Sequence, residues 1–383
     1  MSELPKLQSH RLSEKLGESL QSLVYKGYAK KQPNTPLVLK LLKFLSGWDD
    51  QSQHLRQKIE RLKVLHDSRA CTPLALEISG EMQFIVQPWF QGQSLNVWAA
   101  QQQMVSLKDF FTIACTLTDI LQAVHEAGIT NGGIKPHNIL VQSGTLILCL
   151  TDFITPLDIR DVSHFIYDPE FVRGTLAYTS PEQTGRINYR VDFSTDLYSL
   201  GIVFYELLTR QLPFFSTDPL ALIHSHLAEE APKVHEINPL IPEQLNDIIV
   251  KLLLKQPEKR YQSATGLLAD LLCCRDDYAA RGRISKFPVG LRDRTKRVVF
   301  ISKMVGRYGE AEIIQQEYDA VMTGEFRSVF ISGLSGIGKT RLIQELQKPL
   351  VRNRGYFTSG KFDQYQKNIP YSSLIQALSL IHI

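Results

Sequence analysis

Near the C-terminus, Gly333-Leu334-Ser335-Gly336-Ile337-Gly338-Lys339-Thr340 carries the spacing G-x-x-x-x-G-K-[ST] with no mismatch. Gly333, Gly336 and Gly338 give the backbone the freedom to close its N–H groups around phosphate oxygens. A helix that starts at the loop adds the positive end of its dipole. Lys339 then reaches the β- and γ-phosphates of a nucleotide, and the Thr340 hydroxyl ligates Mg²⁺. The flanks fit this reading: apolar Val329-Phe330-Ile331 predicts a strand before the loop, and Arg341-Leu342-Ile343-Gln344-Glu345-Leu346 a helix after it. A second chemistry-bearing stretch runs from His125 to Phe153. It holds Lys135-Pro136-His137-Asn138 and, fourteen residues after Asn138, Asp152-Phe153.

The elements that must position this second stretch are legible on either side. Leu23–Tyr28 and Leu37–Lys40 read as strands joined by a Pro-Asn-Thr-Pro turn at 33–36, and Phe84–Trp89 as a further strand. Between them, apolar positions 55, 59, 62 and 65 recur at helical spacing. Positions 107, 110, 111, 114, 117, 121 and 124 do the same and stop at Gly128. Ile139–Val141 and Leu146–Leu148 predict a hairpin around Ser143-Gly144. Strongly apolar helices are expected over Asp196–Thr209, Pro219–Glu229 and Pro242–Leu254, with a last one over Ser263–Cys274. Residues 276–300 are rich in Arg with interspersed Gly and Pro, which predicts a solvated linker; without interleaved aromatics it is no nucleic-acid patch. A new unit opens near Val298 with a helix to about Met322 and a strand over Ser328–Ile331.

Composition narrows the classes. A chain of 383 residues holds two or three domains, and 43% apolar with 21% charged residues is ordinary for a globular protein. A formal charge of +4 does not call for nucleic acid as a partner. The longest apolar run, Leu200–Tyr205, is too short to span a bilayer, and the polar N-terminus lacks the apolar core of a signal peptide. Five cysteines without Cys-x-x-Cys spacing predict reduced thiols in a cytoplasm.

Ordered landmarks then identify a likeness. Gly174-Thr175-Leu176-Ala177-Tyr178, Ser180-Pro181-Glu182, Asp196-Leu197-Tyr198-Ser199-Leu200-Gly201 and Arg260 accompany the His125–Phe153 stretch. Residues 10–275 resemble a bacterial serine/threonine protein kinase domain. More closely they are similar to the kinase module of large cyanobacterial hybrids, in which a kinase, an ATPase domain and a histidine kinase share one chain. Phe287-Pro288-Val289-Gly290 and the Phe362–Tyr371 segment belong to that pattern, the latter without an evident chemical role. Residues 301–383 resemble the start of AAA/STAND-type ATPases. The fold implied is an α+β bilobal protein-kinase-like fold, a linker over 276–300, and the start of an α/β P-loop NTPase domain. Ile383 falls before any second acidic strand, so nucleotide hydrolysis is not expected of this part.

The resemblance implies roles position by position. Lys40 stands for the strand-three lysine that pairs with nucleotide phosphates, and Asn138 and Asp152 for the two Mg²⁺ ligands. Lys135 stands for the catalytic-loop lysine, and Thr175 lies in the activation segment. Glu182 and Arg260 imply an ion pair fastening that segment, and Asp196 a brace for the loop. Four positions depart. Gly17–Val24 keeps one of three expected glycines, Lys58 (or, less well phased, Glu60) stands where the glutamate partner of Lys40 belongs, and Ile154 replaces the Gly of D-F-G. Asn131-Gly132-Gly133 occupies the place of His-Arg-Asp, so Gly133 replaces the catalytic Asp. The expected function is an ATP- and Mg²⁺-binding pseudokinase in signalling, partnered by ATP and a protein. The alternatives are an active Ser/Thr kinase with an atypical loop, and a truncated, non-functional copy of a larger hybrid.

Overall fold

The computed structural model describes residues 4–19, 22–43, 48–80, 82–142, 144–153, 172, 174–187, 189–293, 307–333 and 339–344. Its N-terminal part is a sheet because short runs alternate apolar and polar residues. Strands β1 (His10–Glu18), β2 (Ser22–Ala29), β3 (Gln32–Leu42), β4 (Ala75–Ser79) and β5 (Met82–Pro88) pair antiparallel in the order β1-β2-β3-β5-β4. Period two puts Leu39 and Leu41 on one face, in a core with Leu12, Tyr25, Phe84 and Val86. It puts Lys40 and Leu42 on the other, where Leu42 packs with Ile85 and with Ile59 of helix α1 (Trp48–Leu62). The turn expected at 33–36 is instead part of β3. The reversal falls at Lys30-Lys31, and the pairing jumps from Tyr28↔Pro36 to Ala29↔Gln32, absorbing the two prolines as a bulge at an exposed edge.

The rest of the kinase-like unit is helical. A small sheet, β6 (Gln93–Ser94), β7 (Ile139–Val141) and β8 (Leu148–Leu150), sits beside α2 (Leu95–Ala100) and α3 (Leu107–Glu126). The predicted hairpin is therefore shifted two residues in its second strand, to Leu148–Leu150. Ser106 caps α3, its hydroxyl accepting the Asp109 N–H at 3.0 Å. The centre of the lobe is α4 (Phe193–Thr209), buried nearly all round, as a sequence apolar on every side requires. Phe204 of α4 meets Phe110 of α3 edge-to-face at 5.6 Å between centroids. Around it pack α5 (Pro219–Ala228), α6 (Val234–Ile237), α7 (Glu243–Leu252) and α8 (Ala264–Arg281). A Cβ on Gly201 would lie 2.7 Å from the Leu252 Cβ, so only glycine lets α4 and α7 approach this closely.

Three further expectations need correction. Cys71 and Cys149 are joined in a disulfide with their Cα atoms 6.3 Å apart, so not every thiol is reduced; Cys115, Cys273 and Cys274 are free. Sequence spacing is blind to this pair: the Cys71 N–H donates to the Leu150 carbonyl at 2.8 Å, which brings residues 78 apart in sequence side by side. Helix α8 continues to Arg281, and residues 284–293 are only partly solvated: Ile284, Phe287, Val289 and Asp293 make contacts with the helical lobe, while Ser285, Lys286, Pro288, Leu291 and Arg292 are exposed. Finally, α9 (Tyr308–Met322) forms, but Ser328–Ile331 is not a strand. A strand exists only as part of a ladder, and no described residue pairs with it. No helix among the described residues is long and apolar enough to cross a membrane.

Candidate functional site

The loop between α3 and β7 is built on one buried carboxylate. Asp196, in the first turn of α4, is fully buried and accepts three hydrogen bonds. The Asn131 N–H and the His125 Nε2–H reach its Oδ2 at 2.9 Å each, and the Gly132 N–H its Oδ1 at 2.7 Å. Three donors supply what water would have given a buried charge. Gly132 has φ +73°, a conformation that glycine enters without steric cost. The Gln183 amide donates to the Gly132 carbonyl at 2.8 Å, tying the activation segment to this loop.

Position 133 is held as firmly. The Gly133 N–H donates to Asn131 Oδ1 at 3.0 Å, and its carbonyl accepts from Asn138 Nδ2 at 2.8 Å. Asn131 Nδ2 donates to the Thr151 carbonyl at 3.3 Å, linking the loop to the segment before Asp152. Asn131 thus stands in for the expected histidine as an organiser of the loop. Sequence reading missed that role, although an Asn beside two glycines is a recognisable turn signal.

Lys40, Asn138 and Asp152, remote in sequence, meet in the cleft. Lys40 Nζ donates to Asp152 Oδ1 at 2.6 Å, and Asn138 Nδ2 to Asp152 Oδ2 at 3.3 Å. Asp152 itself has φ +61°, a left-handed conformation that costs a non-glycine residue about 1–2 kcal/mol. Strain of this kind gathers at functional positions, and here two partners offset it. Lys135 Nζ donates to Thr175 Oγ1 at 2.8 Å. Burial lowers the Lys135 pKa and nearby Lys40 adds to that, while Asp152 opposes it. His137 is likewise pushed down, by burial and then by Lys135. Glu60 does not serve Lys40, because it pairs with Lys63 at 2.6 Å on the surface of α1. Lys58 is half-buried on the same helix. Ile154 lies outside the described residues.

The oxygen donors suit a hard cation. Asp152 offers carboxylate oxygens, and an Asn138 amide whose nitrogen faces Gly133 and Asp152 keeps its own oxygen for another partner. No group of three His, Cys, Asp or Glu ligands occurs among the described residues. One carboxylate and one amide match Mg²⁺ as it arrives with nucleotide phosphates, since that ion keeps few protein ligands.

Below the cleft, Glu182 and Arg260 form a fully buried pair, with nitrogen–oxygen distances of 2.7 and 2.9 Å. Thr195 Oγ1 adds a bond to Glu182 at 2.8 Å, and Arg260 also donates to the carbonyls of Leu254, Lys255 and Ser194. Beside the pair, His226 is wholly buried, its Nδ1 3.0 Å from the Tyr198 hydroxyl. Desolvation, with neighbouring Lys255, pushes its pKa down to about 3. Lys255, over the Phe214 ring at 4.1 Å, is pushed down to about 7 by burial and Arg260. Both groups are depressed bases, so each stabilises the fold fully above its unfolded pKa and less as pH falls toward its folded one. The Lys255 contribution fades between about pH 10.4 and pH 7, and that of His226 below about pH 6.5. The urea midpoint should therefore fall on going from pH 6.5 to pH 4.5, and less steeply in His226→Gln, which keeps a partner for Tyr198. An equal slope in that variant would exclude His226 as the source.

In the C-terminal part, Lys339 Nζ donates to the Gly333 carbonyl at 2.7 Å. Lys339 and Thr340 open the short helix α10 (Lys339–Gln344). Gly336, Gly338 and the Phe362–Tyr371 segment lie outside the described residues.

The protein kinase domain family matches residues 10–271, and the AAA ATPase domain family matches residues 303–383. Hybrid signal transduction histidine kinase G of Dictyostelium discoideum is 31% identical, over 72% of this chain and 10% of that protein. A probable serine/threonine-protein kinase of Clostridium perfringens, CPE1738, is 30% identical over 68% of this chain and 38% of its own length. The chain thus spans well under half of either relative. Among solved structures, the PknI kinase domain of Mycobacterium tuberculosis superposes with a TM-score of 0.55 at 18% identity, covering 70% of this chain and 97% of that one. With a β-sheet lobe carrying Lys40, a helical lobe carrying Asn138 and Asp152, and a family match over two thirds of its length, the chain belongs to the protein kinase domain family.

Proposed function

We propose that residues 10–275 form a nucleotide-binding pseudokinase, a signalling module of the cytoplasm that holds ATP with Mg²⁺ and acts through a protein partner, joined through residues 276–300 to a P-loop unit over 301–383. The observation that carries this reading is Gly133. Its backbone is fixed by Asn131 and Asn138, yet it offers no carboxylate to take the proton of a substrate hydroxyl. Such general-base and positioning roles are typically worth about 10²–10⁴ in rate.

What remains is a binding site. Lys40 would hold nucleotide phosphates, and Asn138 with Asp152 would hold the Mg²⁺ bound to them; that ion would neutralise phosphate charge. Lys135, bonded to Thr175, would keep the activation segment against the loop. In the P-loop unit, Lys339, Thr340 and the glycines 333, 336 and 338 would form a second phosphate cradle. Its lysine already reaches back to the Gly333 carbonyl, a place phosphate oxygens would compete for. The resemblance to cyanobacterial hybrids suggests that such a pair of units feeds a histidine kinase.

The test is a titration with a fluorescent ATP analogue and Mg²⁺, together with transfer of labelled phosphate, on the wild type, Lys40→Ala and Lys339→Ala. Lys40→Ala should weaken binding at the kinase-like unit roughly 10- to 100-fold, the worth of a charge-assisted hydrogen bond, and transfer should stay at background in every variant. Transfer that disappears with Lys40→Ala would establish a working kinase instead, a reading that the intact Lys40–Asp152–Asn138 cluster favours. Binding lost only with Lys339→Ala would place the nucleotide in the C-terminal loop alone.

A further inference from the structure

Residues 284–293 do not behave as a tether. The Gln244 side chain grips both backbone groups of Phe287, accepting its N–H and donating to its carbonyl at 3.0 Å each. Ile284, Phe287 and Val289 pack on the core of the helical lobe. Gly290, at φ +78°, donates its N–H to Asp270 Oδ2 at 2.6 Å. Asp293 ends the segment at the start of α8, where its carboxylate accepts the Gln262 N–H at 2.6 Å and the Ser263 hydroxyl at 2.7 Å. A Cβ on Gly266 would lie within 2.6 Å of three Asp293 atoms, so that glycine makes room for the contact. A flexible linker would need none of this: three residues of one segment, Phe287, Gly290 and Asp293, are keyed to Gln244, Asp270 and the Gln262–Ser263 pair.

Two of the sites it grips, Asp270 and Gln262, flank Arg260 through its neighbour Tyr261 and its own carbonyl. Asp270 Oδ2, which receives Gly290, also receives the Tyr261 hydroxyl at 2.6 Å. Gln262, held by Asp293, returns its side-chain amide to the Arg260 carbonyl at 2.9 Å and the Pro257 carbonyl at 3.0 Å. Arg260, between these contacts, is the buried partner of Glu182 in the activation segment. Gln183 follows it in sequence and reaches the Gly132 carbonyl.

We infer that residues 284–293 are a strap that positions Arg260, and through the Arg260–Glu182 pair the activation segment, so that the route into the ATPase-family region is mechanically coupled to the cleft. Asp293, Asp270 and Gln244 are its positioning residues. The Phe287–Gly290 motif thereby gains a physical purpose: a phenylalanine to seat, and a glycine where φ is positive. The coupling holds whether or not the unit transfers phosphate, so its test does not use activity. Energetic coupling between two sites is reciprocal, and only a response at the far site demonstrates it.

Hydrogen exchange of the full chain, read by peptide, provides that response in Asp293→Ala and in the milder Gln244→Ala. Exchange should quicken roughly tenfold or more in the strap and also over 257–263 and 176–186, while β1–β3 stay at the wild-type rate. Conversely, Arg260→Lys should quicken exchange in the strap. Release of the strap alone, with 176–186 unchanged, would overturn the inference, as would an unaltered strap. Should Asp293→Ala lose protection everywhere, Gln244→Ala decides by the same two readings.

Discussion

Gly133→Asp should raise phosphate transfer to a Ser/Thr peptide by about 10²–10⁴-fold over the wild type in the presence of Mg²⁺. The reason is that the backbone on which the missing group would stand is held in place. Asp196 fixes the backbone at 131 and 132, and Asn131 and Asn138 fix residue 133 from both its N–H and its carbonyl. Gly132 is among the glycines with positive φ and Gly133 is not, so an aspartate enters at 133 without the strain it would meet one residue earlier. The gain should lie toward the lower end, because Lys40 pairs with Asp152 and no glutamate of α1 stands beside it. Gly133→Ala should leave transfer at background. Nucleotide binding retained in Gly133→Asp without added transfer would show that the loop lacks more than its carboxylate.

The kinase fold was legible because its signals are local or strictly ordered. Leu39 and Leu41 alternate with Lys40, Phe110 and Phe111 begin a helical stripe, and α4 is apolar all round. The partners were less so. Lys40 meeting Asp152 is a contact across 112 residues that only the order of motifs implied. The disulfide of Cys71 and Cys149, and Asn131 acting where a histidine is expected, arise from backbone pairings with no sequence period. The Arg-rich stretch after Cys274 misled for a related reason. Composition reports that a side chain is polar, and cannot report that Asp293 will accept from the Ser263 hydroxyl that caps α8 or that Gln244 will bind a passing backbone. Likewise the apolar run Ser328–Ile331 has strand character, yet it pairs with no described strand and Phe330 is 94% exposed.

Arg260→Met should cost about 3–5 kcal/mol of stability, since it strands the Glu182 carboxylate in a site closed to solvent. For a unit of this size that corresponds to a fall in Tm of roughly 6–20 °C. A lone surface pair would be worth under about 1 kcal/mol, so the magnitude itself tests the burial. Glu182→Leu should be comparably harmful, because it leaves the guanidinium without its counter-charge. The double variant separates charge from packing. Removing both charges cancels the stranded ion, and such replacements are often neutral. Here recovery should stop short of the wild type. Arg260 also satisfies the carbonyls of Leu254, Lys255 and Ser194, and Thr195 loses its acceptor with Glu182. Each orphaned polar group costs about 1–3 kcal/mol unless water reaches it. A double variant more stable than either single one but below the wild type would assign the remaining deficit to those neutral partners. A double variant no better than Arg260→Met would mean that the carbonyls, and not the carboxylate, are what Arg260 is buried to serve.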